Sequence, residues 1–305
     1  MNMDSARVDS SPPMPLARRL ETSAESSFQI RSRVPWDEYK ALPGVSITRL
    51  KEIDRSPQHY AYRLDHPKET PPLVLGTAAH TAVLEPERYQ RQFAVWARRT
   101  ESGNLGPRKG QYWDAFVAAN PGKSYITEDE HNLAVAMACA VRTHAPAMRY
   151  LESGDPEVTM QWALDNCPCR ARVDWLTNVE SVPHIVGLKT ARDCRHFIFG
   201  SAAAKLKYHL QWGYYFDGYK TIMGREPRMI EIVVESEPPH AVAVYWIPPD
   251  IIDQGRDEYQ KLMLRLAECE STGEFPGPQE DEEPLTLPSW VYERNDDIGE
   301  LGLEM

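Results

Sequence analysis

The sequence predicts an α/β fold in which a mixed central β-sheet is flanked by helices, on three observations. Residues 157–163, 169–177 and 184–190 are largely apolar stretches separated by short turns, which indicates neighbouring strands. Two more strands are expected at 228–235 and 240–247, after a helical region, so strands and helices alternate in blocks along the chain. With 305 residues, of which 42% are hydrophobic, the chain can form one sizeable core.

The helices are predicted from capping residues and apolar periodicity. Ser46 and Ser56 are expected to cap two consecutive helices, the second with Pro57 in its first turn. Residues 127–130 form a capping box that opens a helix reaching about residue 143. Further helices are expected at residues 73–84, 194–206, 208–223 and 249–271.

Charge and composition divide the chain into a domain over residues 34–279 and two tails. Residues 1–33, which contain the run Ser-Ser-Pro-Pro-Met-Pro, are expected to be a disordered N-terminal tail. Residues 280–305 form an acidic C-terminal tail with nine acidic residues and one arginine, and so carry −8 of the total charge of −11. The remaining −3 leaves room for a basic surface, so the acidic composition does not exclude nucleic acid as a partner.

Composition argues against membrane proteins and against disulfide-rich secreted proteins. The sequence has no run of about 18 apolar residues, so no membrane-spanning helix is expected, and its start has no apolar stretch of secretory length. The five cysteines lack the spacing of a disulfide scaffold, which fits a reducing cytoplasm. Cys167 and Cys169 do not form a CxxC motif, and no iron–sulfur cluster is expected.

Two strands carry the residues that suggest chemistry. Asp174 lies towards the end of one expected strand and Lys189 towards the end of the next. Hydrolysis of a phosphodiester at neutral pH needs an activated water and a cation that neutralises charge, which Mg²⁺ held by carboxylates can supply. A nearby lysine can orient the water and stabilise the transition state. We therefore predict Asp174 as a metal ligand and catalytic residue, Lys189 as a catalytic residue, and the Leu188 carbonyl as an extra ligand, with Mg²⁺ or Mn²⁺ as the ion.

Other residues are candidates for supporting roles, and each also has an ordinary structural interpretation. His80 could complete the metal ligands or be a buried core histidine. Gln211 and Tyr215, four residues apart on a helix, could contact the phosphate backbone or pack on the sheet. Ser46 and Thr48 could bind a terminal phosphate or simply cap a helix. Arg98 and Arg99, in a basic loop over residues 98–110, could follow DNA or be solvated charges.

In order along the chain, these motifs resemble the nuclease domain of RecE, or exonuclease VIII, within the PD-(D/E)xK superfamily that includes RecB-type nucleases and lambda exonuclease. The resemblance covers roughly residues 35–292. The matching pieces are residues 44–50, the Ser56-Pro57 pair, residues 75–87 around His80, residues 170–174, residues 188–190, Gln211 with Tyr215, and residues 287–290.

The resemblance implies a PD-(D/E)xK nuclease-like core and a Mg²⁺-dependent 5′→3′ exonuclease that acts on double-stranded DNA ends as a homo-oligomeric ring. It would leave 3′ single strands for a RecT-like single-strand annealing protein in phage-type recombination, in the cytoplasm of a bacterial host. By position, His80 and Asp174 would be metal ligands together with the Leu188 carbonyl, and Lys189 would be the catalytic lysine. Gln211 and Tyr215 would support DNA, and Glu157 matches a family acid of less certain role.

The sequence departs from the family at residue 187, where glycine stands two residues before the lysine in place of an aspartate. Loss of one of two metal carboxylates is expected to weaken Mg²⁺ binding and to lower the rate by orders of magnitude. Three accounts remain open: the chain is an inactive variant, Asp193 or Glu157 replaces the carboxylate, or the protein binds DNA ends without cutting. A nuclease subunit of a helicase–nuclease machine is a further alternative, with the motor on another chain because the sequence has no P-loop.

Overall fold

The computed structural model describes residues 28–66, 74–279 and 281–287. Most of the two expected tails, and all of the motif at 287–290 except Leu287, lie outside the described residues. The strands are β1 (Gln29–Arg31), β2 (Phe93–Trp96), β3 (Ser124–Thr127), β4 (Asp155–Leu164), β5 (Cys167–Val179), β6 (Val182–Ala191), β7 (Arg228–Glu235) and β8 (Val242–Trp246).

Eleven helices are found in these described ranges. They are α1 (Trp36–Ala41), α2 (Ile47–Arg55), α3 (Pro57–Asp65), α4 (Val74–Leu84), α5 (Pro86–Gln92), α6 (Gln111–Ala119), α7 (Glu128–Thr143), α8 (Ala145–Leu151), α9 (His196–Lys205), α10 (Tyr208–Met223) and α11 (Pro249–Thr272). The expected caps are present: Ser46 accepts from the Arg49 N–H, Ser56 accepts from the His59 N–H, and Thr127 and Glu130 form a capping box. None of the described helices combines the length and the apolar character needed to cross a bilayer.

The main sheet has six strands in the order β1-β4-β5-β6-β7-β8. Strands β6 and β7 are parallel, and the other neighbours are antiparallel. The parallel pair requires a crossover, which α9 and α10 provide between the two strands. The predicted mixed sheet flanked by helices is therefore confirmed.

Two features of the strands differ from the expectation, and the short helices α1, α5, α6 and α8 were not predicted. Residues 29–31 are not part of a disordered tail but form the edge strand β1, in which Gln29 pairs with Gln161 of β4, so the folded region begins before residue 34. Strands β2 and β3 form a separate parallel pair that the sequence analysis missed. Segments of three or four residues are too short to show a strand periodicity, and only their pairing partners reveal them.

The core lies in two layers, one on each face of the sheet. The first contains buried residues of α2, α10 and α11, such as Leu50, Tyr214 and Tyr259, together with Ile185 of β6. The second contains buried residues of α4 and α7, and in β6 it contains Val186 and Leu188. Because side chains alternate along a strand, Gly187 and Lys189 share the face of Ile185 and lie beneath α10.

Candidate active site

The site forms where the central sheet splits. Strands β5 and β6 are paired from Val179↔Val182 to Trp175↔Val186, and the pairing stops there. Beyond that point the Asp174 side chain reaches across the gap, and the Leu188 N–H donates to its Oδ2 at 2.8 Å. A hydrogen bond to the Asp174 side chain thus replaces the backbone hydrogen bonds between β5 and β6. Where the two strands separate, the Asp174 carboxylate lies beside the last residues of β6.

Lys189 lies between two carboxylates. Its Nζ is 3.7 Å from Asp174 Oδ2 and 3.1 Å from Glu231 Oε1. One ammonium group therefore contacts both carboxylates, which brings the two acids close together. Burial by itself lowers the pKa of Lys189, but Glu231 and Asp174 outweigh it and raise that pKa above its usual value. The lysine is therefore charged, and it is held in place from two sides.

Glu231 occupies the space that a side chain at residue 187 would take. On β7 it is directly in register with Gly187, and a Cβ added to that glycine would lie 2.8 Å from both Cδ and Oε2 of Glu231 and closer still to Oε1. Such contacts are too short for real carbon atoms. Glycine at 187 therefore leaves room for the carboxylate supplied by the neighbouring strand.

The Glu231 carboxylate is buried, with 1% of its side chain exposed, and is oriented by a tryptophan. Trp212 of α10 donates its Nε1–H to Oε2 at 2.6 Å. Oε1 is ion-paired with Lys189, whose Nζ lies 3.1 Å away. Burial raises the pKa of Glu231, with Lys189 and the Trp212 hydrogen bond acting in the opposite direction.

The two acids considered as substitutes for the missing carboxylate are engaged elsewhere. Asp193 follows the end of β6 and accepts several hydrogen bonds from Arg195. Glu157 is ion-paired with Arg172, although it lies near enough to Asp174 to be affected by it: burial first, and then the Asp174 charge, raise the pKa of Glu157. Neither acid forms an ion pair with Lys189, whose two carboxylate partners are Asp174 and Glu231.

His80 of α4 lies at the same site. Burial lowers its pKa, and that effect outweighs the opposing influence of Asp174 and of the Leu188 backbone. The imidazole is therefore neutral, which is the form that binds metals. The structure thus brings His80, Asp174, Leu188 and Lys189 together, as the sequence analysis expected.

These groups form a donor set suited to a hard cation. Two carboxylates and a carbonyl oxygen are the ligands that Mg²⁺ prefers, and Glu231 Oε1 lies at this site, 3.1 Å from Lys189 Nζ. Within the described ranges, the His, Cys, Asp and Glu side chains form no group of three or more that could hold a metal ion. Mg²⁺ is commonly held by one or two carboxylates and keeps several waters, so the two carboxylates and the Leu188 carbonyl are enough protein ligands for it. The residues present therefore fit a divalent cation.

The two predicted residues of α10 have different environments. Tyr215 is half-buried, and its hydroxyl donates to the Arg172 carbonyl at 3.2 Å, so it ties α10 to β5. Gln211 lies one turn earlier, is half-buried and forms no side-chain hydrogen bond within the described part of the chain. Gln211 is thus the one of the two with free hydrogen-bonding groups.

The other predicted DNA contacts already have partners or a capping role. Arg99 is ion-paired with Glu128 at the start of α7, and the Arg98 guanidinium lies 3.9 Å from the ring centroid of Tyr112. Ser46 serves as the N-cap of α2, with Thr48 exposed in its first turn. These contacts match the ordinary structural interpretations, and a DNA role for these four residues stays a prediction.

A cationic group that the sequence analysis missed lies beside Lys189. The Nζ atoms of Lys51 and Lys189 are 5.7 and 5.4 Å from the ring centroid of Tyr208, and Lys51 also donates to the Leu206 carbonyl at 3.0 Å. Burial, together with Lys189 and Lys207, lowers the pKa of Lys51 to about 8. On the sequence alone Lys51 looks like a solvated helix residue, because its neighbours come from distant segments.

Residues 46–285 match the family described as PDDEXK-like domain of unknown function (DUF3799). The chain belongs to this family. The expected PD-(D/E)xK nuclease-like fold is thereby confirmed, while the narrower resemblance to RecE stays a proposal. No curated protein matches the chain significantly in sequence.

Three solved structures were found to be similar to the chain, all at low sequence identity. A provisionally named exonuclease from Eubacterium rectale has a TM-score of 0.56 and 10% identity, covering 83% of this chain and 96% of the other. The protein SSO0001 has a TM-score of 0.33 and 12% identity, covering 87% and 84% of the two chains. The protein VC1899 from Vibrio cholerae has a TM-score of 0.24 and 13% identity, covering 83% and 60%. The first likeness concerns the fold alone, and the other two are too weak to support an argument.

Proposed function

We propose that this PDDEXK-like protein is a divalent-metal-dependent DNA nuclease, and specifically a Mg²⁺-dependent exonuclease at double-stranded DNA ends. The observation that carries the proposal is Glu231, which places a second carboxylate beside Gly187 and Lys189. The expectation of impaired cleavage depended on the absence of that carboxylate. A DNA-binding protein without cleavage is therefore the weaker alternative.

A divalent cation bound at the site would supply charge neutralisation at the scissile phosphate and activation of water. Asp174, Glu231 and the Leu188 carbonyl would hold it, with His80 at its side. Lys189 keeps its ammonium beside both carboxylates, where it can donate to a phosphate oxygen or orient the attacking water. Trp212 orients Glu231 from behind, so the acid is in place before substrate binds.

The cationic side of the site suits a phosphate backbone. Lys51 and Lys189 approach one aromatic ring, and Lys207 lies close enough to affect Lys51. Lysines at this spacing can each contact a phosphate, and the resulting affinity is independent of base sequence. Gln211, with its free amide, is suited to a further contact from α10.

The finer assignments depend on the motif resemblance. They are 5′→3′ polarity, release of 3′ single strands to a RecT-like annealing protein, phage-type recombination in the cytoplasm of a bacterial host, and a homo-oligomeric ring. The Eubacterium rectale protein of similar fold is provisionally named an exonuclease, and that name agrees with the proposed activity. Mg²⁺ is favoured over softer ions because the proposed ligands are mainly oxygens.

The proposal is tested by digestion of linear duplex labelled at either the 5′ or the 3′ end, with a covalently closed circle as control. We expect Mg²⁺-dependent release of nucleotides from the linear duplex, early loss of the 5′ label, no cleavage of the circle, and no activity in chelator. Lys189→Ala is expected to remove the activity while duplex binding persists. Tight binding of duplex ends without nucleotide release in Mg²⁺ or Mn²⁺ would instead identify a binding protein, and cleavage of the circle would contradict the exonuclease assignment.

A further inference from the structure

In the part of the chain that the structure describes, strand β8 ends the main sheet without a strand on its outer side. Its five residues, Val-Ala-Val-Tyr-Trp, contain no charge, no proline and no glycine. Natural sheets usually protect an edge with charged residues, proline, a bulge or a very short strand, because an open edge can pair with another chain. The opposite edge follows that rule: β1 has three residues and carries Arg31, which is paired with Glu38.

The hydrogen-bond pattern shows which backbone groups of β8 are open. The Ile247 N–H donates to the Met229 carbonyl and the Glu235 N–H donates to the Ala241 carbonyl, so odd-numbered residues of β8 bond to β7. The N–H and C=O groups of Val242, Val244 and Trp246 therefore point away from β7. They have no backbone partner among the described residues.

This edge is complementary to itself. In an antiparallel pair centred on Val244, each Val244 faces the same residue of a second copy, and Val242 faces Trp246 at both ends. The outward residues of both strands then form three hydrogen-bonded pairs. A small side chain opposes a large one at each end, and an aromatic residue against a β-branched one is a favourable cross-strand pair. Trp246, which is 67% exposed, would be covered by this contact.

The charged residues at the Trp246 end of β8 also bear on pairing with a second copy. The antiparallel register brings residues 236–241 of the second copy to the Trp246 end of β8. A cavity of about 1150 Å³ lies at this end, and its lining includes Trp246, Arg228 and Lys220. The approaching turn carries Glu237, which is opposite in charge to Arg228, whereas Lys220 is ion-paired with Glu226 of the same cavity.

We propose that β8 joins two copies of this chain into one continuous sheet about a two-fold axis through Val244. Such a contact uses the same surface on both copies, so it closes at two and is distinct from the head-to-tail contacts of a ring. If a ring also forms, the two-fold contact joins two rings or pairs subunits within one assembly. The inference does not depend on nuclease activity.

Charge substitution on the axis tests the proposal. Val244→Lys or Val244→Asp places two like charges opposite each other, so each variant is expected to have half the wild-type mass in light scattering. An equimolar mixture of the two variants is expected to regain the full mass, because lysine then faces aspartate. Leu264→Lys, an equally charged change at an exposed residue of α11, is expected to keep the full mass. A monomeric wild type, an assembly with an odd number of copies, or a mass unchanged in both Val244 variants would overturn the proposal.

Hydrogen exchange of the wild-type chain gives a test that needs no variant. The amides of Ala243 and Tyr245 bond to β7 and are expected to be protected at any protein concentration. The amides of Val244 and Trp246 are expected to be protected at high concentration and to exchange on dilution. Equal protection of the four amides at all concentrations, or fast exchange of Val244 and Trp246 throughout, would refute the paired edge.

Discussion

Replacing Glu231 by glutamine tests the second carboxylate most directly. Glutamine has nearly the same size, and its amide oxygen can still accept from Trp212, so the packing and this hydrogen bond are kept. The change removes the negative charge that lies 3.1 Å from Lys189. Its effect on cleavage therefore reports what the charge at this position contributes.

Two general magnitudes set the expected loss of cleavage rate and the expected loss of stability in Glu231→Gln. Removing one preorganised electrostatic group from an active site typically lowers kcat about 10²–10³-fold, or about 3–4 kcal/mol. Removing one member of a buried ion pair costs about 3–5 kcal/mol of unfolding free energy. Lys189 keeps Asp174 at 3.7 Å, so we expect the stability loss of Glu231→Gln to lie at or below the lower end of that range. The variant should stay folded and lose at least about 100-fold in rate.

The same geometry reverses the expectation for Gly187→Asp, which on the sequence alone should raise activity. The new Cβ would collide with the Glu231 carboxylate, which Trp212 and Lys189 hold in place. Overpacking a buried position costs about 1–3 kcal/mol, and a second carboxylate adds like-charge repulsion. Gly187→Asp alone should therefore be less stable and less active than the wild type. Combined with Glu231→Ala, which makes room, it should be more active than Glu231→Ala alone.

The assay is Mg²⁺-dependent nucleotide release from linear duplex, with thermal unfolding measured on the same preparations. Asp193→Asn is the matched control, because this acid is paired with Arg195 rather than with Lys189, and it should cleave at the wild-type rate. Wild-type activity in Glu231→Gln would refute the role of Glu231. Higher activity in Gly187→Asp with Glu231 intact would show that residue 187 is the true ligand position.

Three further predictions concern the surroundings of the site and the fold. Trp212→Phe removes the donor to Glu231 and should lower Mg²⁺ affinity or activity about 10–100-fold, as seen in a Mg²⁺ titration of the rate; an unchanged titration would mean that the donor does not position the acid. Because the pKa of Lys51 is lowered to about 8, its charge is present below that pH and lost above it, so the slope of log affinity for duplex DNA against log salt should shrink by about 1 as pH rises past 8 in the wild type. Lys51→Arg should keep the slope constant, and the same loss in that variant would assign the pH effect to another group. Thr127→Ala breaks the capping box of α7 and should cost about 1 kcal/mol in urea unfolding without changing cleavage, whereas no loss of stability would show that the cap does not hold this helix.

Short stretches of sequence were sufficient to predict much of the fold and part of the site. Helix caps such as Ser46 and Thr127 satisfy backbone groups a few residues away, so they can be read from the sequence. Largely apolar stretches separated by short turns mark β4 to β6, and β7 and β8 are similar stretches after a helical region, so these strands can be predicted from the chain itself. Asp174 and Lys189 lie on strands that follow one another along the chain. Their approach in the structure therefore needed only the assumption that those strands are neighbours.

Only the tertiary structure could decide which acid stands beside Gly187. Glu231 is far from it in sequence, and the two meet because the crossover through α9 and α10 sets the parallel register of β6 and β7. The sequence does contain a signal, a single acid in the apolar strand 229–234, but its meaning depends on that register. The same holds for Arg98 and Arg99, which are exposed but contact Tyr112 and Glu128, and these contacts depend on segments distant in the sequence. The sequence by itself determined the elements and their chemistry, whereas long-range pairing decided which side chains meet, since contact energies between distant segments leave no local trace.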